Sequence, residues 1–287
     1  MTQIQPMLKP KLSIGAIIAR VLLVAILIGF TVMTIYPIIW LIINSFKTSK
    51  EFQMNRLGLP IAPTFINYPQ AWKIGNFSML FVNSIFYTGV ATLAIVILSL
   101  STSFAFAKIQ SKATKPLYNS FVIGILLALE SIMVPLFIMS IVTGVYDTRI
   151  GILIPYIGLG LPIGVYLGTE FIKSIPDALI ESARLEGASY LRIFFSIILP
   201  MCIPVAMTLA ILTVTSLWNE FMLVNILASR ESLKSLPVGI LKFSGSLASD
   251  YGKQFAALVI GMLPMLIFYL SFRKQIQRGL AAGAVKG

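Results

Sequence analysis

The sequence predicts an all-α membrane protein with six transmembrane helices. Apolar residues make up 57% of the 287-residue chain and charged residues only 11%, where an ordinary soluble domain carries about a quarter. The charges fall between or at the ends of long apolar runs, which is the pattern of repeated bilayer crossings and not of one water-exposed core. Six of these runs are long enough, or nearly so, for a helix that needs about 20 apolar residues to cross.

The first run lies between Arg20 and Lys47, with its apolar heart from Val21 to Ile43. It is too long for a signal-peptide core and no small-residue cleavage site follows it, so it is expected to remain as a helix. This divides the start of the chain into a terminus (1–20), a first helix (21–45) and a long loop (46–78). The second run spans about Met79 to Phe106, the third Tyr118 to Val142, the fourth Ile150 to Ile172, the fifth Phe194 to Leu217 and the sixth Phe255 to Phe272. A tail (273–287) follows. Only Glu130, expected mid-span in the third, and Glu170, at the end of the fourth, interrupt them with charge. Pro135, Pro155, Pro162, Pro200, Pro204 and Pro264 lie inside the runs, with Gly158, Gly160, Gly164 and Gly168 in the fourth. In a bilayer such breaks survive where neighbouring helices or water satisfy the freed backbone groups, which favours a packed bundle with a pathway; simple kinks are the plainer reading.

Charge distribution excludes several functions. The net charge of +12 is not a nucleic-acid footprint, because Lys and Arg collect at the ends of apolar runs, where membrane orientation places them. With both termini cytoplasmic, 13 basic residues lie inside and nine outside, and the short loop from Lys108 to Lys115 is decisively basic. The expected orientation is N-in and C-in. With no histidine and one cysteine, Cys202, the chain has no intrachain disulfide, no thiolate or imidazole metal site and no histidine-paired nucleophile. Cys202 reads as a small packing residue.

The loop after the fourth run reads SIPDALIESARLEGASYLRIFFSIILP from Ser174 to Pro200. Ser174 and Asp177 have the spacing of a capping box, with Pro176 tolerated in the first turn. Gly187 can adopt the left-handed conformation that ends this helix, and Ser189 can cap a second that continues into the fifth crossing. Ala178, Ser182 and Ala183 leave one side of the first helix short, while Glu181 and Glu186 offer charge. A small-sided acidic helix suits docking to a partner; helices that rest on lipid usually carry Lys and Arg on the polar face.

The spacing Glu181-Ser182-Ala183, three residues, Gly187, nine residues from Ala188, then Ile197-Ile198-Leu199-Pro200 resembles the EAA loop of ABC importer permeases. The resemblance implies the type I importer permease (MetI-like) fold, with a core at 79–272 whose coupling loop (174–193) sits in a cleft of the ATP-hydrolysing subunit. Glu181, Ser182, Ala183, Glu186, Gly187 and Ala188 would then couple to the ATPase. The sequence departs from the pattern at Ser182, where alanine is usual, and at Glu186, where aspartate is usual. Further matches resemble the maltose-type sugar permeases, in particular the smaller maltose-permease subunit: Asn67-Tyr68 after Pro63-Thr64, Asn83-Ser84, Trp218-Asn219-Glu220-Phe221, and the ending from Gly279 to Gly287. In those systems the tail reaches into the ATPase dimer interface, a role the resemblance implies for Gly283, Lys286 and Gly287; composition alone gives a disordered terminus.

No phosphate loop of the G-x-x-x-x-G-K-S/T type occurs, since Gly252-Lys253 is followed by Gln254. Energy must come from separate subunits or an ion gradient. The resemblance implies a second permease forming a heterodimer, two ATPase subunits carrying ATP and Mg, an extracytoplasmic sugar-binding protein and a sugar substrate, in a bacterial or archaeal plasma membrane. The chain itself is expected to bind no cofactor and catalyse no reaction. A charge mid-membrane costs roughly 2.5 to 3.5 kcal/mol on insertion scales, so Glu130 is expected to hydrogen-bond sugar hydroxyls, hold a neighbouring subunit, or be protonated and structural. Asn219 and Glu220 lie at the outer end of the fifth run, where a binding protein would dock. Two rival readings stand beside this one: an ABC permease for another nutrient, and an ion-gradient-driven transporter using Glu130. The absence of matching halves weighs against inverted-repeat transporters, and a membrane enzyme would have almost no chemistry available.

Overall fold

The computed structural model describes the backbone of residues 14–109, 111–246 and 250–284. Helix α1 (Ile14–Ser45) is followed by the short helices α2 (Ser49–Met54) and α3 (Asn67–Ile74), then by the long α4 (Phe77–Lys108). Helices α5 (Thr114–Gly124) and α6 (Leu129–Val142) meet at 104°. Helix α7 (Arg149–Lys173) leads to the short α8 (Asp177–Leu185) and α9 (Tyr190–Ile193). A π-helical turn (Phe194–Ile198) and α10 (Leu199–Met201) join α9 to α11 (Ile203–Asn219) across a bend of 73°. Helices α12 (Met222–Leu227), α13 (Leu236–Ser246) and α14 (Tyr251–Ala284) complete the described chain. Four helices among the described residues are long and apolar enough to cross a membrane, and the number is six if each of the two bent pairs is one span. With six crossings the chain returns to the face from which α1 starts, and α8, after the fourth, lies on that same face.

Two of the six expected spans are therefore broken. The third was expected as one run from Tyr118 to Val142, but it turns sharply at Ile125–Ala128, where Ala128 is extended (φ −71°, ψ 133°). No proline lies in that turn; Pro135 sits inside an unbroken α6. Glu130 is consequently not mid-helix but in the first turn of α6, where a carboxylate faces the positive end of the helix. The fifth span bends at Cys202, whose N–H donates to Ile198 and Leu199 oxygens at 2.9 and 3.1 Å. Here proline explains the bend, because Pro204 has no N–H and its ring crowds the carbonyl four residues back. Cys202 is fully buried in the core, as a packing residue should be.

The glycines of the fourth span do something simpler than open a pathway. A Cβ on Gly160 would lie 2.4 Å from Ile95, on Gly164 2.2 Å from Ser99 Oγ, and on Gly168 2.5 Å from Ser103 Oγ, whereas Gly158 faces open space. Three glycines at a spacing of four make one face of α7 flush, so α4 can lie against it. Ser103 Oγ seals the contact by donating to the Val165 oxygen at 3.0 Å. Despite Pro155 and Pro162, α7 stays one helix.

Among the described residues, helix α1 is covered by the rest of the chain only at its far end, from Trp40 on. Its apolar window is wholly unburied by this chain, while Trp40 packs edge-on against Phe52 and Phe255 and donates to the Arg56 oxygen at 3.0 Å. Asn67 Nδ2 caps the end of α1 by donating to the Ser45 and Lys47 oxygens at 2.8 and 2.9 Å. Lys47 is buried, and its ammonium donates to the Asn55 and Gly58 oxygens at 2.7 and 2.6 Å. Burial lowers its pKa from the ordinary lysine value, with Glu51 opposing.

At the same end, Asn83 and Ser84 hold the segment before α13 on α4. Asn83 Nδ2 donates to the Ser232 and Lys234 oxygens at 2.8 and 2.9 Å, Arg149 donates to Asn83 Oδ1 at 3.3 Å, and Ser84 Oγ accepts from Leu236 N at 2.8 Å. Nearby, Asp147 (φ +57°) clasps the loop after α12: its Oδ1 accepts from Ser229 N and Arg230 N at 2.8 and 2.9 Å, and its Oδ2 from Arg230 Nε at 2.7 Å. The Arg230 backbone N–H is the largest influence holding the Asp147 carboxyl below its ordinary pKa; burial opposes it, and the Ser229 N–H and the Arg230 guanidinium add to it. A depressed folded pKa means the unfolded loop binds more protons, so the clasp contributes fully above the ordinary aspartate value of about 3.9. That contribution is lost as pH falls through the lower folded value. Hydrogen-exchange protection of residues 228–233 is expected to stay constant between neutral pH and about pH 5 and to fall only below about pH 4. Asp147→Asn should lower that protection at neutral pH; unchanged protection would show that the clasp does not hold the loop.

Candidate functional site

The loop between α7 and α11 is built outward from the bundle. Ser174 closes α7 by donating its hydroxyl to the Phe171 oxygen at 2.6 Å, so it does not cap α8, and the expected capping box is absent. Pro176 occupies the N-cap position without a side-chain bond. Asp177 has a different partner: Lys108 Nζ, at the end of α4, lies 2.6 Å from its Oδ1 and donates to the Ile175 oxygen at 2.6 Å. The Lys108 side chain is almost wholly buried in making these contacts, which pin the start of α8 to α4.

Helix α8 ends as its glycine predicts. Gly187 has φ +83°, its N–H donates to the Arg184 oxygen at 2.9 Å, and Ala188 N–H donates to the Ala183 oxygen at 3.0 Å. This pair of bonds is the Schellman arrangement, which only a residue tolerant of the left-handed region closes cheaply. Ser189 then caps α9, accepting from Arg192 N at 3.3 Å. Arg184 bonds the Tyr190 hydroxyl at 2.7 Å, so the two short helices form one knob.

The two faces of α8 differ in kind. Ile180 and Ala183 are buried with Ile175, Ile193, Phe194 and Ile198 in a core cluster that also contains Leu100 and Phe104 of α4, Ile172 of α7 and Val205 and Leu209 of α11. Ala183 thus packs on the bundle side of α8 and not on the small outer side on which the sequence placed it with Ala178 and Ser182; helical spacing from Ile180 puts it there. The outer face carries Ala178, Glu181, Ser182, Leu185 and Glu186, all exposed, and Leu185 is 91% exposed. Ser182 Oγ donates to the Ala178 oxygen at 2.8 Å, so its hydroxyl is satisfied within the helix and the residue presents little more than an alanine would. Neither Glu181 nor Glu186 has a hydrogen bond or ion pair among the described residues.

The membrane-embedded polar residues do not form one cluster. Glu130 is exposed at the start of α6, and no hydrogen bond or ion pair links it to Asn219 or Glu220 among the described residues. Asn219 is exposed and bonds back to the Thr215 oxygen at 2.8 Å. Glu220 is not a free docking group: its Oε2 accepts from the Tyr156 hydroxyl at 2.6 Å and its Oε1 from Leu223 N at 2.7 Å. It ties α7 to α11 and caps α12. Lone polar groups in apolar runs, Tyr156 among them, were the only sequence signal of such ties. Gly283 lies in the last turn of α14; Lys286 and Gly287 lie outside the described residues.

Residues 111–281 match the model of a protein family described as the binding-protein-dependent transport system inner membrane component. The chain belongs to this family. The permease is 32% identical, over 90% of its own length and 94% of the relative's, to a putative ABC transporter permease of Caldicellulosiruptor sp.. It is also 32% identical, over 94% of its length and 98% of the relative's, to a probable permease for starch degradation products in Thermoanaerobacterium thermosulfurigenes. Its fold matches a chain in the crystal structure of a bacterial ABC transporter that imports alginate, with a TM-score of 0.83 at 23% identity, over 93% and 99% of the two chains. The permease is therefore a multi-pass transport subunit, which sets aside both the gradient-driven transporter and the membrane enzyme.

Proposed function

We propose that this permease forms half of the membrane pathway of an ATP-binding-cassette importer and passes a sugar or oligosaccharide delivered by an extracytoplasmic binding protein. ATP and Mg are bound by two separate ATPase subunits, and a second, different permease completes the pathway. The observation that carries the reading is the two-faced helix α8. Its outer face offers Glu181, Ser182, Leu185 and Glu186, while its inner face belongs to a core shared by α4, α7 and α11. A rigid knob seated in a partner's cleft moves those three helices when the partner closes, and ATP binding then shifts the bundle between inward-open and outward-open states. Glu186 and Gly187 set the outer turn of this knob and Ala188 its return to the bundle.

The basic loop from Lys108 to Lys115 lies on the same face as α8, because Lys108 contacts Asp177 directly. Basic loops face the cytoplasm, which supports N-in and C-in and puts α8 on the side where ATP is found. Helix α6 buries only Ser140 in this chain, which supports a partner permease or the pathway itself beside Glu130, a position from which its carboxylate would meet either. Asn219, exposed at the other end, stays a candidate contact for the binding protein. Gly283, Lys286 and Gly287 are proposed to extend towards the ATPase dimer. The name of the starch-product relative, with Asn67-Tyr68, Asn83-Ser84 and Trp218-Asn219-Glu220-Phe221, favours a sugar over another nutrient.

Affinity purification from gently solubilised native membranes, with mass spectrometry of co-purifying proteins, tests the proposal. Recovery of an ATPase with a Walker motif and a second multi-helix permease is expected, and the accompanying binding protein can be screened for its sugar. Recovery of the chain alone across several mild detergents would overturn it.

A further inference from the structure

A cavity with polar groups at its rim lies away from the outer face of α8, at the end of the bundle on the same side. It has a volume of about 440 Å³ and sits where α4 ends, α5 begins and α7 ends. Phe106 and Ile109 give it an apolar wall, and Ser111, Thr114, Lys115, Tyr118, Thr169 and Lys173 bring polar groups. Positive charge is in excess here: of Lys108, Lys112, Lys115 and Lys173, the first is paired with Asp177 and the last with Glu170 at 2.7 Å. Lys112 and Lys115 have no ion-pair partner among the described residues, and both are exposed. Tyr118, half-buried, lies under the Lys173 ammonium at 5.1 Å from the ring centre, and its hydroxyl donates to Glu170 at 3.3 Å. Thr169 is 1% exposed, and its hydroxyl has no hydrogen-bond partner among the described residues. A buried hydroxyl left unpaired costs free energy that a bound oxygen ligand would recover.

The geometry points to a binding site for the phosphate headgroup of an anionic phospholipid. The cavity lies where spans end, at headgroup depth. Helix α5 buries none of its residues, so lipid reaches the cavity from the side, with its acyl chains along exposed Leu117 and Ile123. Basic pockets between transmembrane helices at this level bind anionic headgroups. Lys115 and Lys173 supply the charge, the Ser111 and Thr169 hydroxyls the neutral hydrogen bonds, and Phe106 the surface for the first methylenes.

Native mass spectrometry of the full chain, released from detergent with dioleoyl phosphatidylglycerol or dioleoyl phosphatidylcholine titrated in, tests the site. The wild-type chain is expected to retain phosphatidylglycerol preferentially. Because one basic residue near a membrane surface contributes a factor of about five, Lys115→Ala and Lys173→Ala should each lower that retention by about fivefold. Lys50→Ala, which removes an exposed charge at the opposite end of the bundle, should leave it unchanged. Equal retention of both lipids, or retention that neither cavity variant alters, would overturn the site. Displacement of phosphatidylglycerol by millimolar inorganic phosphate would overturn the lipid as its source and assign the cavity to a soluble phosphate compound.

Discussion

Glu181→Lys is expected to lower sugar uptake roughly thirtyfold while leaving the permease folded and in the membrane. The side chain is exposed on α8 and has no hydrogen bond or ion pair among the described residues, so reversing its charge removes no contact seen there. It does place a cation where the docking face presents two carboxylates and exposed Leu185. Truncating a central interface residue costs about 2 kcal/mol or more, roughly thirtyfold in affinity, and a reversed charge adds repulsion. Uptake by membrane vesicles carrying the variant should fall by about that factor, with an unchanged amount of permease by immunoblot. Ser182→Ala, by contrast, should be silent, because the Ser182 hydroxyl bonds only its own helix. Wild-type uptake by Glu181→Lys would sink the coupling role of this face.

The second large effect is on folding and lies at the contact of α4 with α7. Gly164→Ala puts a methyl carbon 2.2 Å from Ser99 Oγ and 2.8 Å from Ser99 Cβ; rotating the serine relieves the first clash and not the second. Overpacking of this kind costs about 2 kcal/mol, which for a chain of this size lowers the melting temperature by roughly 5 °C. Gly158→Ala adds the same methyl to open space on the same helix and should leave the melting temperature where it is. Adding Ser99→Gly to Gly164→Ala should restore most of the loss, because it moves the small residue to the facing helix. Thermal denaturation followed by size-exclusion chromatography distinguishes these outcomes; an unaffected Gly164→Ala would mean that the two helices separate more readily than their packing implies.

Spans and docking loop were largely legible because each rests on a local rule. A crossing needs a run of apolar residues, and Gly187 and Ser189 end and begin helices by their own backbone and side-chain chemistry. What was not legible depends on partners distant in sequence. Ser174 has the spacing of a cap for α8, yet its hydroxyl serves α7 because Asp177 is drawn to Lys108, 69 residues earlier. Ala183 was readable as small but not as inward-facing until Ile180 fixed the rotation of the helix. The break before Glu130 contains no proline, while Pro135, Pro155 and Pro162 sit in continuous helices, so proline alone misplaced the irregular backbone. Glu220 looked like an exposed end group, and only the fold brings Tyr156 to it.

The one-ended attachment of α1 bears on how the chain is made. The polar groups that anchor its far end lie close behind it in sequence: Lys47 finds Asn55 and Gly58, Trp40 finds Arg56, and Ser45 finds Asn67 and Tyr68. None of these contacts waits for α4 or anything later. The apolar length of α1 is not buried by this chain, so its polar end can be tied locally while the chain is still being made, and Phe255 of α14 closes on Trp40 only at the last span.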